Sequence, residues 1–504
     1  MRIMERLLLA HDLGTSGNKA TLYREDGTIV ASAVEPYEVY YSEGCCAEQE
    51  ADDWWRAVVV STRKLIKEED PANIAAVSFS GHMNGCLCVG EDGRPLRRSI
   101  LWMDTRAGDE AKLLEKRFGK EGFYKITGAR PQAFYSAEKL MWIKRCQPEI
   151  YAKTYKMLQS KDYLSLRLTG RFVTDHNDAS NTNLYDLHRH CWSEEIAEAA
   201  GIDMAKLPEI VCSSETVGYV TDVAARETGL LPGTRVVAGA GDGGCATVGA
   251  GCWREGAAYC CLGTSAWIST AISAPVMDED MVVFNMVHPD PSLYIPCGAM
   301  QSAGSAFNWM KNEICTHEKY LAKTTGESVY DLICSQAQSA PAGANGLMFL
   351  PYMMGERSPW WDSLAKGAYI GLTPAHTRAD VLRATIEGVA LNLAQIYDTY
   401  RNRTRPPLTL IGGLALSEMW RQTVANALGV QVLQTTCTEE ASSMGAAVIA
   451  GVGAGIFSDY SASERFIRPK SLTEPDKAAH EFYRSLLPVY RECYLALKNV
   501  FPKL

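Results

Sequence analysis

Apolar residues gather in short blocks at the start of the chain. "RLLLAHD" (6–12) and "KATLYRE" (19–25) flank the turn-forming "LGTSGN" (13–18). Asp26-Gly27 is a hairpin signal, and "TIVASAVEPY" (28–37) is a third block. The pattern predicts three consecutive antiparallel strands. The spacing then changes. In "EADDWWRAVVVSTRKLIKEE" (50–69), Trp54, Val58, Leu65 and Ile66 recur at roughly helical intervals. "IAAVSFSGHMNGCLCV" (74–89) returns to strand, loop and strand. Alternating strands and helices define an α/β protein.

A similar order restarts near Gly256. "AAYCCLGTSAWISTAI" (257–272) reads strand, turn, strand. "RADVLRATIEGVALNLAQIYDTY" (378–400) predicts a helix with Val381, Ile386, Val389, Leu393 and Ile396 along one face. "RPPLTLIGG" (405–413) is a strand ending in glycines. A helix follows, with Ser417 as N-cap and Gly429 just past its end. Residues 474–501 predict an amphipathic C-terminal helix. The tetrapeptide Leu-Gly-Thr-Ser occurs at 13–16 and again at 262–265. With the repeated strand–turn–strand context, it points to a duplication joined near 248–255.

Composition narrows the class. A chain of 504 residues suggests two large domains or three smaller ones. A net charge of -9 argues against a nucleic-acid surface. No run of eighteen apolar residues offers a membrane span. The start resembles a signal peptide only briefly: Glu5 lies among its positive charges and no small-residue cleavage site precedes Asp12. Whether the chain starts at Met1 or Met4 stays open. The sixteen cysteines include no C-x-x-C pair, so free thiols in a reducing cytoplasm are expected.

Several residues offer chemistry. A Gly-Thr-Ser turn exposes backbone N–H groups and hydroxyls to phosphate oxygens, although ordinary hairpin turns would read the same. Asp12, beside the first turn only, suits a magnesium ion; Cys261, its counterpart at the second, does not. "GAGDGG" (239–244) fits G-x-G-x-x-G, but no acidic residue follows about twenty positions on, which counts against a dinucleotide site. Asp242 in that glycine loop can accept a proton from a hydroxyl or bond its own turn. His82, Asn84, Asp104 and Arg106 suit a polyhydroxylated ligand, with Trp102 or Trp54 to stack on a sugar face. The alternatives are a His82 satisfied in the core and a structural Asp104–Arg106 pair. No G-x-x-x-x-G-K-[ST] occurs, so any nucleotide site is not a P-loop.

Together these motifs resemble the FGGY carbohydrate kinases. "HDLGTSGNKA" is similar to the family's first phosphate motif, "CLGTS" to the second, and "IGGLALSEMWRQ" to its adenosine motif. "FYSAEKLMWIKRC" (134–146) resembles the first family signature, departing at Cys146, and "GAYIGLTPAHTRADVLRATIE" (367–387) fits the second throughout. The resemblance implies a two-lobed actin-like, ribonuclease-H-like α/β fold with duplicated domains (1–250 and 251–504) and a central nucleotide cleft. The final helix is expected to pack back on the N-terminal lobe. It implies Asp242 as catalytic base and Asp12 as the magnesium residue. Gly14, Thr15, Ser16, Lys19, Gly263, Thr264, Gly304, Gly412, Gly413 and Ser417 would contact nucleotide. His82, Met83, Asn84, Trp102, Asp104, Arg106 and Asp242 would contact substrate. The reaction implied is ATP-dependent phosphorylation of a terminal ketose hydroxyl, on D-xylulose or a related pentulose or hexulose. Alternatives are a kinase for erythritol, gluconate or glycerol, or a non-catalytic actin-like nucleotide-binding protein. ATP, Mg2+ and a small sugar or polyol are the partners, without nucleic acid or membrane, with a homodimer as the assembly. The likeness is to the xylulokinase branch, but that branch usually has Gly-Gln-Met-His-Gly where this chain has Gly81-His82-Met83-Asn84-Gly85, and Leu-Trp-Asn-Asp where it has Leu101-Trp102-Met103-Asp104.

Overall fold

The computed structural model describes residues 6–42, 44–436 and 440–504. Met1, Met4 and Glu5, and with them the question of the start, lie outside the described residues. The first sheet runs in the spatial order Thr216–Tyr219, Arg235–Val237, Ile74–Gly81, Leu7–Leu13, Gly17–Arg24, Ile29–Pro36. The second runs Pro469–Thr473, Val432–Thr435, Leu408–Ile411, Ala258–Leu262, Ala266–Thr270, Tyr294–Met300, then Phe284–Val287. The six strands of the first order match the first six of the second, and Phe284–Val287 is an additional edge strand. Leu7–Leu13 pairs antiparallel with the strand after its turn and parallel with Ile74–Gly81. Ala258–Leu262 pairs antiparallel with its own successor and parallel with Leu408–Ile411. The fold is duplicated, and the two Leu-Gly-Thr-Ser turns occupy equivalent corners.

Local sequence explains these elements. Leu7–Leu13 is central in its sheet and reads as an almost unbroken apolar run because both faces are covered. Ile29–Pro36, at the sheet edge, alternates toward solvent instead. The Ala51–Leu65 helix buries Trp54, Val58 and Leu65, with Asp52 and Asp53 in its first turn and Arg63 and Lys64 in its last, which complements the helix dipole. The Arg378–Tyr397 helix departs from the single stripe read in its sequence. It is buried on nearly every side from Leu382 to Tyr397, with Glu387 and Asn392 also inside. A helix apolar all round is a core helix.

The lobes meet through two equivalent helices, Asp242–Gly249 and Ala441–Gly453. Glycines permit the approach. A Cβ on Gly249 would lie 1.8 Å from the Ala441 carbonyl oxygen, and one on Gly445 1.9 Å from that of Cys245. Leu8, Ala10 and Val237 of the first sheet share a core with Ala446, Val448 and Ile449 of the second helix. The C-terminal helix, Lys477–Leu497, corrects one expectation. It packs on Arg378–Tyr397 and Glu418–Leu428 within the C-terminal half, where Tyr483, Leu487, Tyr490 and Tyr494 join the largest core. Its apolar stripe is used up on that side rather than on the N-terminal lobe. The described cysteines are free thiols, and no helix among the described residues is long and apolar enough to cross a membrane.

Candidate active site

Two cavities open between these elements. The larger, about 600 Å³, is lined by Gly263, Thr264, Gly304, Gly413, Ser417 and Trp420. The strand ending at Leu262 delivers Gly263 and Thr264. The Gly304 helix then lies directly on that turn: the Gly304 N–H donates to the Gly263 carbonyl at 2.9 Å, and a Cβ on Gly304 would meet the same oxygen at 2.5 Å. Ser417 precedes the Glu418–Leu428 helix as expected, but its hydroxyl does not cap it. It points instead to Cys334 Sγ, 3.5 Å away, at the cavity wall. Gly412 lines neither this cavity nor the smaller one. Its φ of 90° and its approach to the Leu262 carbonyl, 2.6 Å from a Cβ built there, make it the glycine that turns the chain.

The smaller cavity, about 240 Å³, brings together Met83, Asn84, Trp102, Asp242 and Arg357. Asp242 is not a loop residue. It opens the Asp242–Gly249 helix, and its Oδ1 accepts the Gly243 N–H at 2.7 Å. Gly239 makes this corner possible: with φ 75°, its Cβ position would lie 2.1 Å from the Phe79 carbonyl oxygen. Asn84 is held at φ 60°. Buried Lys139 fixes it, with Nζ donating to the Asn84 carbonyl at 2.6 Å and to that of Phe134 at 2.5 Å. Ser136 Oγ donates to the Gly85 carbonyl, Gln159 accepts the Gly85 N–H and Ser160 Oγ donates to the His82 carbonyl. Residues 134–146, through Ser136 and Lys139, thus clamp the 82–85 loop together with Gln159 and Ser160.

The first Gly-Thr-Ser turn lines neither cavity but adjoins the smaller one. Trp102 Nε1 donates to Thr15 Oγ1 at 3.1 Å. The carbonyls of Gly14, Thr15 and Ser16 accept from Tyr37 OH, Gln49 Nε2 and the Tyr37 N–H. Among the described residues, the N–H groups of Thr15 and Ser16 find no protein acceptor. Asp12 accepts from Ser80 Oγ at 2.8 Å. Desolvation, with the charge of Glu440 adding to it, pushes the Asp12 carboxyl up to about 6. Asp242 is accessible on the cleft wall, yet protein surrounds it. Desolvation, with Asp12 as the second cause, pushes it up to about 7.

Further placements differ from the sequence expectation. His82 is buried, stacks edge-on against Trp54 at 5.3 Å and does not line the smaller cavity; desolvation pushes it down to about 4, so it is neutral, and both its ring nitrogens are buried without a partner. Asp104 is buried and saturated by Arg106 and by the Ala47 N–H, and Arg106 also pairs with Glu48. That is a structural pair behind the site. Trp54 is fully buried and cannot stack on a sugar. Lys19 pairs with Glu440 across the lobes and lines neither cavity.

The smaller cavity also contains residues that sequence reasoning missed: Asn181, Trp267, Arg357 and Ser442. They come from four separate segments. No local spacing announces them.

A divalent cation fits this donor set. Desolvation raises Asp12 and Asp242, and a neighbouring carboxylate adds to each, Glu440 at Asp12 and Asp12 at Asp242, a negative charge that a cation relieves. No group of three or more His, Cys, Asp or Glu converges among the described residues. One or two carboxylates with substrate oxygens and water is the arrangement magnesium prefers.

Duplicated lobes with a Gly-Thr-Ser turn on each and a carboxylate at the cleft suit a two-lobed phosphotransferase. Residues 7–249 match the model of the N-terminal domain of the FGGY family of carbohydrate kinases, and residues 258–454 that of its C-terminal domain. The chain belongs to this family. It is similar to a xylulose kinase of Staphylococcus epidermidis, 31% identical over 99% of this chain and 98% of the relative. Two solved structures from Lactobacillus acidophilus superpose with a TM-score of 0.92 at 28% identity, each covering 99% of both chains: a gluconate kinase and a ligand-bound xylulose kinase. The protein is a carbohydrate kinase, transferring a phosphoryl group from ATP to a sugar hydroxyl.

Proposed function

We propose that the protein phosphorylates a terminal hydroxyl of a ketose, D-xylulose or a related pentulose or hexulose, with Asp242 as general base. The observation that carries this reading is the meeting of Asp242, Asn84 and Trp102 in one cavity of about 240 Å³, a volume suited to a small sugar. Asp242 takes the proton as the hydroxyl attacks the γ-phosphate. A carboxyl raised to about 7 is matched to that task near neutral pH. ATP occupies the larger cavity, its base near Ser417 and Trp420 and its phosphates toward Gly263, Thr264 and Gly304. The free N–H groups of Thr15 and Ser16 face the phosphates from the other lobe. Asp12, with Asp242 or Glu440 nearby, would hold Mg2+, which when bound supplies neutralisation of phosphate charge. Phosphoryl transfer depends mainly on positioning and charge, and this chain supplies the positioning through the Lys139 clamp and the two turns. The described free thiols fit a reducing compartment such as the cytoplasm.

Similarity to gluconate kinases keeps a sugar acid as the second reading. ADP release, measured optically across D-xylulose, D-ribulose, L-xylulose, L-ribulose, D-gluconate, xylitol and glycerol, tests the assignment. Strong stimulation by one ketose is expected. Stimulation by gluconate alone would replace the ketose reading, and ATP binding without any sugar-dependent turnover would remove the kinase assignment for this chain.

A further inference from the structure

Arg357 is the one cation among the residues lining the smaller cavity, as Asp242 is the one anion. Its guanidinium has no ion-pair or side-chain hydrogen-bond partner among the described residues, and its Nε is buried without an acceptor. Neighbouring Glu356 does not satisfy it. Glu356 spends its Oε1 on the backbone N–H groups of Gln301 and Arg357 itself. A desolvated guanidinium with no partner is costly, and proteins pair such groups.

The backbone that carries Arg357 is fixed. Ser358 N–H donates to the Ala299 carbonyl at 2.9 Å, Ser358 Oγ donates to that of Val282 at 2.6 Å, and Asn392 Nδ2 donates to the Ser358 carbonyl at 3.2 Å. The strand Tyr294–Met300 and the core helix Arg378–Tyr397 therefore hold the residue in place before any ligand arrives. Ala299 lines the same cavity. A second buried polar atom there, Asn84 Oδ1, is also unpartnered. It can only accept, so it suits a hydroxyl. The guanidinium can only donate, and its planar fork matches an sp² oxygen best.

We propose that Arg357 is a substrate-recognising residue that reads an sp² oxygen, a ketone carbonyl or a carboxylate, on the part of the sugar remote from Asp242. This deepens the kinase reading and rests on its placing the sugar in this cavity. It means that a ketose or an aldonate is accepted and the matching saturated polyol is not. The polyol has only hydroxyl oxygens to offer the charged donor, and these lack the planar lone pairs that the guanidinium fork matches.

The test compares D-xylulose with xylitol and D-gluconate with sorbitol, by ADP release and, separately, by calorimetric binding to the Asp242→Asn protein. The sp² member of one pair is expected to exceed its polyol by roughly 10- to 150-fold in kcat/KM and in affinity, the span a hydrogen bond to a charged group confers. Arg357→Gln should erase most of that ratio, through KM more than kcat, with ATP binding by tryptophan fluorescence reporting that the variant is folded. Arg357→Lys should restore part of it for gluconate and less for xylulose, which distinguishes the carboxylate from the carbonyl. A wild-type protein that binds and turns over the polyol as well as its partner overturns the proposal without any variant, as does an Arg357→Gln protein with an unchanged ratio. Selective binding without phosphoryl transfer would leave Arg357 as assigned and overturn the kinase reading instead.

Discussion

The Lys139 clamp makes a prediction whose size follows from the structure. Lys139→Met keeps the length of the side chain and removes its ammonium. The carbonyls of Asn84 and Phe134 then lose a donor in a buried setting. Each unsatisfied carbonyl costs about 1–3 kcal/mol. The Phe134 share falls on overall stability. The Asn84 share falls on a residue already held at φ 60°, in a left-handed conformation that is uncommon for non-glycine residues. Relaxing that residue moves the side chain that lines the sugar cavity. If the cost of one carbonyl appears in sugar binding, the sugar KM rises by about 5- to 150-fold. Nothing links Lys139 to the Ser417 cavity, so the ATP KM should hold. Steady-state kinetics with each substrate varied, alongside a thermal melt, read the two separately. A folded variant with an unchanged sugar KM would refute the clamp, and so would equal losses for sugar and ATP.

The site carries further expectations. Asp242 must be ionised to accept a proton and its carboxyl is raised to about 7, so kcat/KM for sugar should climb with pH through that value; Asp12→Asn removes a like charge and should move the limb to lower pH by about one unit, read from the magnesium-free protein by NMR titration of the carboxyl, and a limb that moves upward would contradict the coupling. Gly304→Val should raise the ATP KM at least tenfold with sugar affinity kept, because its Cβ would press on the Gly263 carbonyl at 2.5 Å; fluorescence titration with ATP decides it. Gly445→Ala should lower the melting temperature through about 1–3 kcal/mol of overpacking between the two lobe-joining helices, and a melt unchanged from wild type would show that those helices part freely.

How legible all this was in the chain depends on the kind of feature. The three-strand opening, the repeated turn and the cap at Gly429 follow from local patterns, and the structure has them. Asp242 was identifiable as chemistry but not as the first residue of a helix, because the glycines around it read as a loop. Those glycines serve close packing instead: Gly241 and Gly244 lie against Met83 and Asn177. The Arg378–Tyr397 stripe was too narrow a reading, since only tertiary context shows that the opposite face is also covered. The same limit explains His82 and Asp104. A polar residue near a glycine loop looks like a ligand contact until its burial and its partners are known. Arg357 gave no signal at all, because a lone charged residue after a strand says nothing about an unpartnered guanidinium at the wall of the smaller cavity.

The central claim is that Asp242 is the base of a phosphoryl transfer to a sugar hydroxyl. Asp242→Asn, assayed by sugar-dependent ADP release with calorimetric sugar binding in parallel, tests it most directly. The account predicts a fall in kcat on the order of 10²–10⁴, with sugar affinity within a few-fold of wild type. Full turnover in that variant, or a loss of binding as large as the loss of rate, would contradict it.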